Sequence, residues 1–427
     1  MSLHSLIRAS IASIHQVNVQ PGNSVAKSKI SREKPTVPSP PRKSRLRADA
    51  SGEDLIYGGY PDKRWQRTFR RNLLNWYFEN RRELPWRTDN TAYRVWISEI
   101  MLQQTQIVTV IEYFERFMKT FPTIRDLAKA TEEKVLSMWE GLGYYRRARN
   151  LHQAAKKLCE FHNGQFPTSF DAVIKLPGIG RYSAGAILSI SNNQRLPILE
   201  GNTFRLHSRL LGLRQPPRHP VAEKLLWKFA EDILPTSRSK QRPGDFNQAL
   251  MDLGSEICKP RSAHCHVCPV SSSCCAFELG LQDRLPVSLP KPSHRELRQA
   301  LIIIENGKGN FFVRKRKQNE WWGGLWDFLR IDLTEITASK QNQELQKHVK
   351  TVTGSTVQIP RQPNQTIRHA VTQNRIILDC YYIVDQTGQN STSEFVTKSP
   401  AQLSTLPLNA TARKFWQSLI ISQKKRF

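Results

Sequence analysis

The sequence lacks a long apolar run, and it has few acidic residues for its number of basic ones. No apolar run in its 427 residues reaches the roughly 18 residues that a membrane-spanning helix needs, so we expect no membrane span. Lys and Arg number 64 against 36 Asp and Glu, a net charge of +28, and only nine of the basic and four of the acidic residues lie in residues 1–58. This charge predicts a nucleic-acid partner. A charge that serves solubility alone is the alternative.

The chain also lacks the paired cysteines of a secreted, disulfide-stabilised domain. Its cysteines number seven, and five of them lie between Cys258 and Cys275. Such crowding is typical of a metal or cluster site in a reducing compartment. The spacing Cys258-x6-Cys265-x2-Cys268-x5-Cys274 suits an iron–sulfur cluster or zinc. A zinc ribbon more often has two Cys-x2-Cys pairs, and only one is present, so the cluster is favoured and zinc is the alternative.

Strand-like alternation is scarce in the first two thirds of the chain. Residues 1–58 include a basic, Pro/Ser-rich stretch without hydrophobic periodicity, and we predict a disordered extension there. The first 16 residues contain no acid, which fits an organellar targeting segment as well as a simple tail. Residues 59–285 are predicted to be helical, residues 286–296 to be a proline-rich linker, and residues 297–427 to be a separate α+β domain.

The individual elements follow from the spacing of apolar residues. Within the helical region, Val95 to Phe117 reads as one helical stretch. In the last domain, strands are predicted at Leu301–Ile304, Phe311–Arg314 and Ile376–Val384.

A glycine-rich turn precedes a helix-forming run. In Pro177-Gly178-Ile179-Gly180-Arg181, the two glycines allow backbone amides to approach a phosphate at a helix N-terminus. Alone, this motif could be a tight turn between helices. Because it stands 78 residues before the first clustered cysteine, it indicates a helix-hairpin-helix element that holds the DNA backbone without reading bases.

One acidic residue, Glu99, stands among the apolar residues Trp96, Ile100 and Met101. Burial there would raise the pKa of its carboxyl group and keep a proton available near neutral pH, as a general acid requires. From the residues alone, a single Glu in an amphipathic helix is more often solvated or ion-paired.

These motifs together resemble those of the helix-hairpin-helix DNA glycosylases, and most closely those of MutY-type adenine glycosylases, which are related to endonuclease III. The resemblance covers roughly residues 65–420, with its most specific motifs in the cysteine spacing, the hairpin and the run Ser98–Gln106. It implies a mainly α helix-hairpin-helix glycosylase fold with an iron–sulfur cluster loop, followed by an α+β Nudix-like domain. It implies a monofunctional enzyme that hydrolyses the N-glycosidic bond of adenine mispaired with 8-oxoguanine or guanine and leaves an abasic site.

The resemblance also assigns residues to roles. The expected catalytic residues are Glu99, Glu200, Tyr182 and Asn202. The expected base-recognition residues are Arg82, Trp86, Arg87 and Gln248. The expected DNA-binding residues are Gln103, Gln104, Thr105, Leu142, Tyr144, Gly178, Gly180, Arg181, Thr372 and Gln373. One [4Fe–4S] cluster is expected on Cys258, Cys265, Cys268 and Cys274.

The resemblance gives two tyrosines, Tyr182 and Tyr144, specific expected roles. Family members that also cut the DNA strand carry a lysine directly after the hairpin, where its amine forms a Schiff base. This chain has Tyr182 there, so no strand cleavage is expected. In the segment Gly141-Leu142-Gly143-Tyr144, the tyrosine is expected to wedge into the base stack and help to extrude adenine. A glycine-rich loop with core aromatic residues is the alternative.

The chain departs from the family at two places. Glu200 stands where the family has Asp, and a carboxylate displaced by about 1 Å can cost roughly a hundredfold in rate. Either the local backbone compensates, which we favour, or activity is impaired. In the last domain, the run Trp321 to Phe328 resembles the family's Nudix-like domain without the acidic Nudix catalytic box. The stretch Val371-Thr372-Gln373 replaces the family's Phe-Ser-His loop that recognises 8-oxoguanine, so the aromatic residue is missing.

Two alternative functions remain at this stage. One is a mismatch thymine glycosylase of the same superfamily, and the other is a catalytically impaired, cluster-bearing lesion-binding protein. The expected partner is double-stranded DNA that contains adenine opposite 8-oxoguanine or guanine, bound by a monomer. The expected location is inside the cell with the DNA: the cytoplasm or nucleoid of a bacterium, or a eukaryotic nucleus or mitochondrion.

Overall fold

The structure, a computed structural model, describes residues 55–57, 59–236, 239–289, 293–386 and 392–424. Most of the predicted N-terminal extension, including its targeting segment, therefore lies outside the described residues. Leu55 and Ile56 are buried, and Ile56 forms a β-bridge with Leu213. The prediction of disorder throughout residues 1–58 is wrong for these two residues, because their apolar side chains pack into a helical core.

From Lys63 to Glu278, the described part of the chain is mainly helical. Its helices are α1 (Lys63–Asn80), α2 (Ala92–Leu102), α3 (Ile107–Thr120), α4 (Ile124–Lys129), α5 (Glu132–Met138), α6 (Arg146–His162), α7 (Phe170–Val173), α8 (Arg181–Asn192), α9 (Gly201–Leu211), α10 (Pro220–Asp232), α11 (Pro243–Asp252) and α12 (Cys275–Glu278). Sequence sets several of their ends: Thr123 and Asp126 form a reciprocal capping box at the start of α4, which satisfies two free backbone amides. A π-helical turn over Leu253–Ile257 continues α11.

The single helical stretch predicted from Val95 to Phe117 is divided in two. α2 ends at Leu102 and α3 begins at Ile107. Gln104, between them, has a φ of 58°, and an L-residue in this left-handed conformation cannot continue a right-handed helix. The apolar pattern gave no sign of this break because apolar residues resume at helical spacing on the far side.

The helices build two hydrophobic cores. One contains residues of α2 to α8, with Trp96, Phe114 and Trp139 fully buried. The other contains residues of α1 and α9 to α11, including Phe69 and Phe229. Burial of each large apolar side chain contributes about 1.5–3 kcal/mol, so both cores are substantial. Among the described residues, no helix is both long and apolar enough to cross a membrane.

The last part of the chain is a seven-stranded mixed sheet with helices on both faces. Its elements are β1 (Arg295–Asn306), β2 (Phe311–Lys315), β3 (Trp326–Asp327), β4 (Leu329–Asp332), α13 (Ala338–Thr353), β5 (Gln365–Val371), β6 (Asn374–Asp385), β7 (Val396–Lys398), α14 (Pro400–Thr405) and α15 (Ala410–Lys424). The strand order is β3-β2-β1-β6-β5, with β4 paired to β1 and β7 to β2. β1 and β6 are parallel, with Leu301 opposite Cys380, and the other pairs are antiparallel.

Alternation along β1 places its side chains on two faces. Leu301 and Ile303 pack with α14 and α15, whereas Ile302 and Ile304 pack with α13, as the two-residue period of a strand requires. The three predicted strands are confirmed as parts of β1, β2 and β6. β3, β4, β5 and β7 were not predicted; in β5, for example, Ile367 is the single buried residue, so the apolar signal is weak.

The sheet domain is attached to the helical region near α5 and α6. Leu325 is fully buried in the first helical core. Arg413 of α15 forms hydrogen bonds of 2.6 and 3.1 Å with the carboxylate of Glu140. Arg149 of α6 donates to the Gly323 carbonyl at 2.7 Å. Lys315 and Trp326 also donate to the Glu133 carboxylate, at 2.9 and 3.3 Å, so apolar packing and several polar contacts join the two parts.

Candidate active site

A cleft of about 850 Å³ is lined by residues from both helical cores. It brings together all the residues predicted for catalysis and base recognition, which come from the segment before α2 and from α2, α8, α9 and α11. These residues are Arg82, Trp86, Arg87, Glu99, Tyr182, Glu200, Asn202 and Gln248. The predicted DNA-binding residues Gln103, Gln104, Thr105, Gly180 and Arg181 also line it.

Glu99 and Tyr182 meet at the base of the cleft. The Tyr182 hydroxyl donates to Glu99 Oε2 at 2.8 Å. Burial raises the pKa of Glu99 from 4.5 to about 7; the hydrogen bond from Tyr182 opposes this rise, and the Glu200 carboxylate adds to it. Burial also raises the pKa of Tyr182 well above 10. The phenol therefore keeps its proton, and Glu99 can exchange one near neutral pH.

Glu200 is the N-cap residue of α9. Its Oε1 accepts hydrogen bonds from the backbone amides of Asn202 at 2.8 Å and Thr203 at 3.0 Å. The Thr203 hydroxyl in turn accepts from the Glu200 amide at 2.7 Å. A carboxylate at this position is stabilised both by the free amides and by the positive end of the helix. The longer side chain is therefore held in one place.

Asp252, which the sequence analysis did not assign to the site, holds the two predicted base-recognition arginines. Arg87 donates to it through both terminal nitrogens, at 2.7 and 3.0 Å. Arg82 donates to it through Nε at 3.1 Å, and the carboxylate is almost completely buried. Asp252 lies one helical turn after Gln248 on α11 and so on the same face. That spacing, together with two arginines in need of a counter-charge, is the signal that could have identified it.

The hairpin glycines lie where the sequence predicts them, ahead of α8. Gly178 has a φ of +78°, and a Cβ there would lie 2.7 Å from Asn150 Cβ, so the backbone conformation and the packing both require glycine. Gly180 is the N-cap of α8, and no atom lies within 4 Å of where its Cβ would stand. Arg181 stacks on Trp227, with its guanidinium carbon 3.8 Å from the ring centroid.

Two loops flank these elements. The glutamine loop (Gln103–Gln106) connects α2 and α3, and Gln104 is exposed in it. The tyrosine loop (Gly141–Tyr144) precedes α6, and the Tyr144 side chain is 53% exposed, which suits a wedge. Leu142 does not fit its predicted DNA-binding role. Its side chain is 6% exposed and packs in the first helical core, so it is not available to DNA in this structure.

The residues predicted to recognise the lesion lie outside the cleft. Thr372 and Gln373 form the two-residue turn between β5 and β6, and both side chains are exposed. Thr372 has a φ of 53°, and its hydroxyl donates only to the neighbouring Val371 carbonyl, at 2.7 Å.

The four predicted cysteine ligands line one small cavity. The buried Arg209 guanidinium lies 3.2 Å from Cys258 Sγ, and burial raises the pKa of Cys274 to about 11. Four thiols and a buried cation fit an anionic iron–sulfur cluster. In the described part of the chain, no three His, Cys, Asp or Glu side chains are grouped as ligands of a metal ion.

Arg205 connects this cysteine cavity with the cleft. Its Nη2 donates to Asn202 Oδ1 at 3.0 Å, and its Nε donates to the Cys258 carbonyl at 2.7 Å. Asn202 is thus oriented by a buried arginine that also holds the first cysteine.

Comparison with known families matches both parts of the chain. Residues 97–232 match the HhH-GPD superfamily of base excision DNA repair proteins, and residues 300–418 match the NUDIX domain. The predicted fold class, a helix-hairpin-helix glycosylase region followed by a Nudix-like domain, is confirmed. Neither match includes Cys258 to Cys274, so the predicted cluster loop is not tested by them.

Named relatives of the chain share one description. The adenine DNA glycosylase of Buchnera aphidicola subsp. Schizaphis graminum is 39% identical over 265 residues, which are 62% of this chain and 75% of that protein. The adenine DNA glycosylase of Schizosaccharomyces pombe is 33% identical over 341 residues, 66% of this chain and 73% of that protein. That of Rattus norvegicus is 42% identical over 237 residues, 53% of this chain and 45% of that protein. The chain therefore belongs to the adenine DNA glycosylase family.

Proposed function

We propose that this protein is a monofunctional DNA glycosylase of base excision repair that removes adenine mispaired with 8-oxoguanine or guanine. The observation that carries the proposal is the hydrogen bond between the buried Glu99, whose pKa is about 7, and the half-buried Tyr182, in one cleft with the carboxylate of Glu200. A proton donor and a fixed negative charge on one cleft are what acid-assisted loss of a purine needs.

The first step is extrusion of the base. The hairpin around Gly178 and Gly180, with the N-terminus of α8, holds DNA phosphates through backbone amides, and Arg181 adds a positive charge. Tyr144 enters the base stack, and adenine turns into the cleft at an unstacking cost of a few kcal/mol. There Trp86 offers an apolar face, while Arg82, Arg87 and Gln248 contact the base edge.

The second step is cleavage of the glycosidic bond. Glu99 transfers its proton to a ring nitrogen of adenine, and the electron pair of the C1′–N9 bond leaves with the base. The sugar becomes oxocarbenium-like, and the negative charge of Glu200 stabilises it, with Tyr182 and Asn202 alongside. Water then adds to C1′ and gives its proton to the Glu99 carboxylate. The products are adenine and an abasic site, and Glu99 is again protonated.

Glu200 serves in place of Asp because the helix holds it. Its Oε1 is fixed by two amides of α9, so the extra methylene does not leave the charge mobile. We expect Glu200→Asp to change base release by less than about tenfold, since Asp also caps helices. Glu200→Gln keeps the capping bonds but removes the charge, and we expect it to lose about a hundredfold or more.

The phenol at position 182 supports a monofunctional enzyme. A strand-cleaving glycosylase needs an amine that forms a Schiff base with C1′, whereas position 182 has a half-buried phenol that is bonded to Glu99. The DNA strand is therefore expected to break only when alkali acts on the abasic site.

One [4Fe–4S] cluster on Cys258, Cys265, Cys268 and Cys274 completes the proposal. Its contribution is structural, because it cross-links the loop that follows α11, and Arg209 supplies a compensating charge. Purified protein should be brown, with about four irons and four acid-labile sulfides per chain. A colourless protein that contains zinc would contradict this assignment.

The remaining parts of the proposal concern the opposite base and the organisation of the chain. The turn of Thr372 and Gln373 meets the 8-oxoguanine, and the protein acts as a monomer on double-stranded DNA, in the compartment that holds that DNA. Functionally, residues 59–285 form the glycosylase region, residues 286–296 the linker and residues 297–427 the lesion-recognition domain.

The test is single-turnover base release from three duplexes: adenine opposite 8-oxoguanine, adenine opposite guanine, and thymine opposite guanine. We expect release of adenine only, fastest opposite 8-oxoguanine, with strand breaks only after alkali. Release of thymine alone would establish the thymine glycosylase alternative. Binding of the lesion without any release, by both the parent and Glu200→Asp, would establish a lesion-binding protein.

A further inference from the structure

Arg147, the second residue of α6, bonds to both loops that flank the cleft. Its Nη1 donates to the carbonyls of Ile100 at 2.8 Å and Met101 at 3.0 Å, in the last turn of α2, and to that of Gln103. Its Nη2 donates to the Leu142 and Gly143 carbonyls at 3.0 and 3.3 Å, and to Thr105 Oγ1 at 3.3 Å. One guanidinium therefore joins the glutamine loop, the tyrosine loop and the end of the helix that carries Glu99.

The charge of Arg147 is held by carbonyl dipoles rather than by an acid. Burial lowers the pKa of this guanidinium to about 10, and no carboxylate in the described part of the chain is among the groups that influence it. Arg147 is half-buried, and partial loss of water around a cation without a counter-ion is costly. Carbonyls at the C-terminal end of α2 carry the negative end of the helix dipole, which partly offsets that cost.

Each of the two loops contains one residue in a strained backbone conformation. Gln104 has a φ of 58° and Tyr144 a φ of 46°, and residues with a side chain rarely adopt this left-handed region. Such conformations persist where the surroundings over-determine them. Arg147 bonds to the residues on either side of Gln104 and to the two residues before Tyr144, and its guanidinium carbon lies 5.8 Å from the Tyr144 ring centroid.

We propose that Arg147 is a positioning residue that makes the glutamine loop and the tyrosine loop one rigid unit. This inference rests on the proposed function, in which Tyr144 enters the base stack, and on the predicted DNA-binding role of Gln104, which we place at the base opposite the extruded adenine. Because Arg147 joins the two loops, insertion of Tyr144 into the base stack also positions Gln104. Extrusion of adenine and contact with the opposite base then occur as a single event. Two separate loops would have to be ordered independently, at a greater entropic cost.

A double-mutant cycle tests this coupling. Tyr144→Ala, Gln104→Ala and the double variant are compared by single-turnover adenine release, first in the parent and then in an Arg147→Lys background, which keeps the charge but loses the planar fork. In the parent, we expect the double variant to lose about tenfold less activity than the product of the two single losses, which is the size of coupling that contacting residues show. In the Arg147→Lys background, the two losses should multiply. Arg146→Lys, the same change at an exposed neighbour, should preserve the coupling.

Hydrogen exchange of the DNA-free protein gives a readout that does not depend on activity. Arg147→Lys should increase amide exchange in the glutamine loop and the tyrosine loop together, while the rest of the helical region stays protected. An increase in one loop alone, or in neither, would overturn the proposal, as would a coupling that survives in Arg147→Lys. The two proposals can fail separately. If the parent releases no adenine but Arg147→Lys still increases exchange in both loops together, the proposed function is refuted and the coupling of the loops stands.

Discussion

The cleft and the β5–β6 turn are two regions expected to contact the same mispair, and they are built in opposite ways. In the cleft, Glu99 is bonded to Tyr182, Glu200 is bonded to two helix amides, and Asp252 binds two arginines. At the turn, Thr372 and Gln373 are exposed, and the Thr372 hydroxyl donates to its own neighbour.

The difference follows from what each region has to do. Groups that stabilise a transition state are effective when they are already oriented in a dry site, since nothing then needs to reorganise during the reaction. Groups that recognise a base must remain accessible until DNA arrives, and they form their bonds only then. Substitutions in the cleft should therefore affect catalysis and stability together, and substitutions at the turn should affect selectivity alone.

The largest effect is expected at the centre of the cleft. Glu99→Gln removes the proton donor while keeping the size of the side chain and a partner for Tyr182. General acid catalysis contributes about 10²–10⁴-fold, so single-turnover adenine release should fall by about a thousandfold. Glu112→Gln, on the exposed face of α3, is the matched control and should release adenine at the parent rate. Comparable losses in the two variants would show that Glu99 has no special role.

The next effect is expected at Asp252. Asp252→Asn leaves two arginines without their shared counter-charge, and breaking a buried ion pair typically destabilises a protein by about 3–5 kcal/mol. Displacement of Arg82 and Arg87 should also lower adenine release by about a hundredfold. Glu256→Gln makes the same kind of change at an acid that forms an ion pair with Arg82 and is 35% exposed, so its effects should be much smaller. Urea unfolding and single-turnover release measure both quantities; equal effects at the two positions would contradict the role given to Asp252.

The pH profile sharpens the comparison further. With a pKa of about 7, Glu99 loses its proton above neutral pH, so base release should be highest below pH 7 and fall above it. Stability follows the same direction. The pKa of Glu99 is about 7 in the folded state and 4.5 in the unfolded state. Between these two pH values the native state binds the extra proton, so the free energy of unfolding falls as the pH rises from about 4.5 to 7. Above pH 7 the ionised, buried Glu99 should cost about 3 kcal/mol.

Denaturant unfolding at two pH values checks this expectation. Glu99→Gln should be more stable than the parent at pH 8 and equal to it near pH 4.5. A pH-independent difference between the two proteins would contradict a raised pKa at this position.

The smallest effect on stability is expected at the turn. Replacing both Thr372 and Gln373 with Ala removes exposed groups, and surface changes of this kind usually alter stability by less than about 0.5 kcal/mol. The preference for adenine opposite 8-oxoguanine over adenine opposite guanine should fall by several-fold, about the value of one or two hydrogen bonds. Rates on both duplexes measure it. Unchanged selectivity would mean that other residues recognise the lesion.

Much of the site could be predicted because its characteristic residues lie in short segments of the sequence. Gly178 and Gly180 before a helix, Tyr182 after them and four cysteines at fixed spacing are features of short segments, and the structure brings the predicted catalytic residues to one cleft. Asp252 and Arg147 could not be assigned in this way. Their contacts are with residues in other segments of the chain; for Asp252 the spacing from Gln248 is a local hint, whereas Arg147 in α6 gives no local sign of its contacts.

By itself, the sequence determined which regions are helical, which region contains strands and which segment turns at glycine, because these depend on nearest neighbours and periodicity. The roles of acid, wedge and cluster ligand were expected from the resemblance of its motifs to a known family. Only the tertiary structure decided that Leu142 is buried while Tyr144 is exposed, that the stretch from Val95 to Phe117 breaks at Gln104, and that burial raises the pKa of Glu99. Exposure, strain and desolvation are set by the atoms that surround a residue in space, and residues distant in the chain supply most of those atoms.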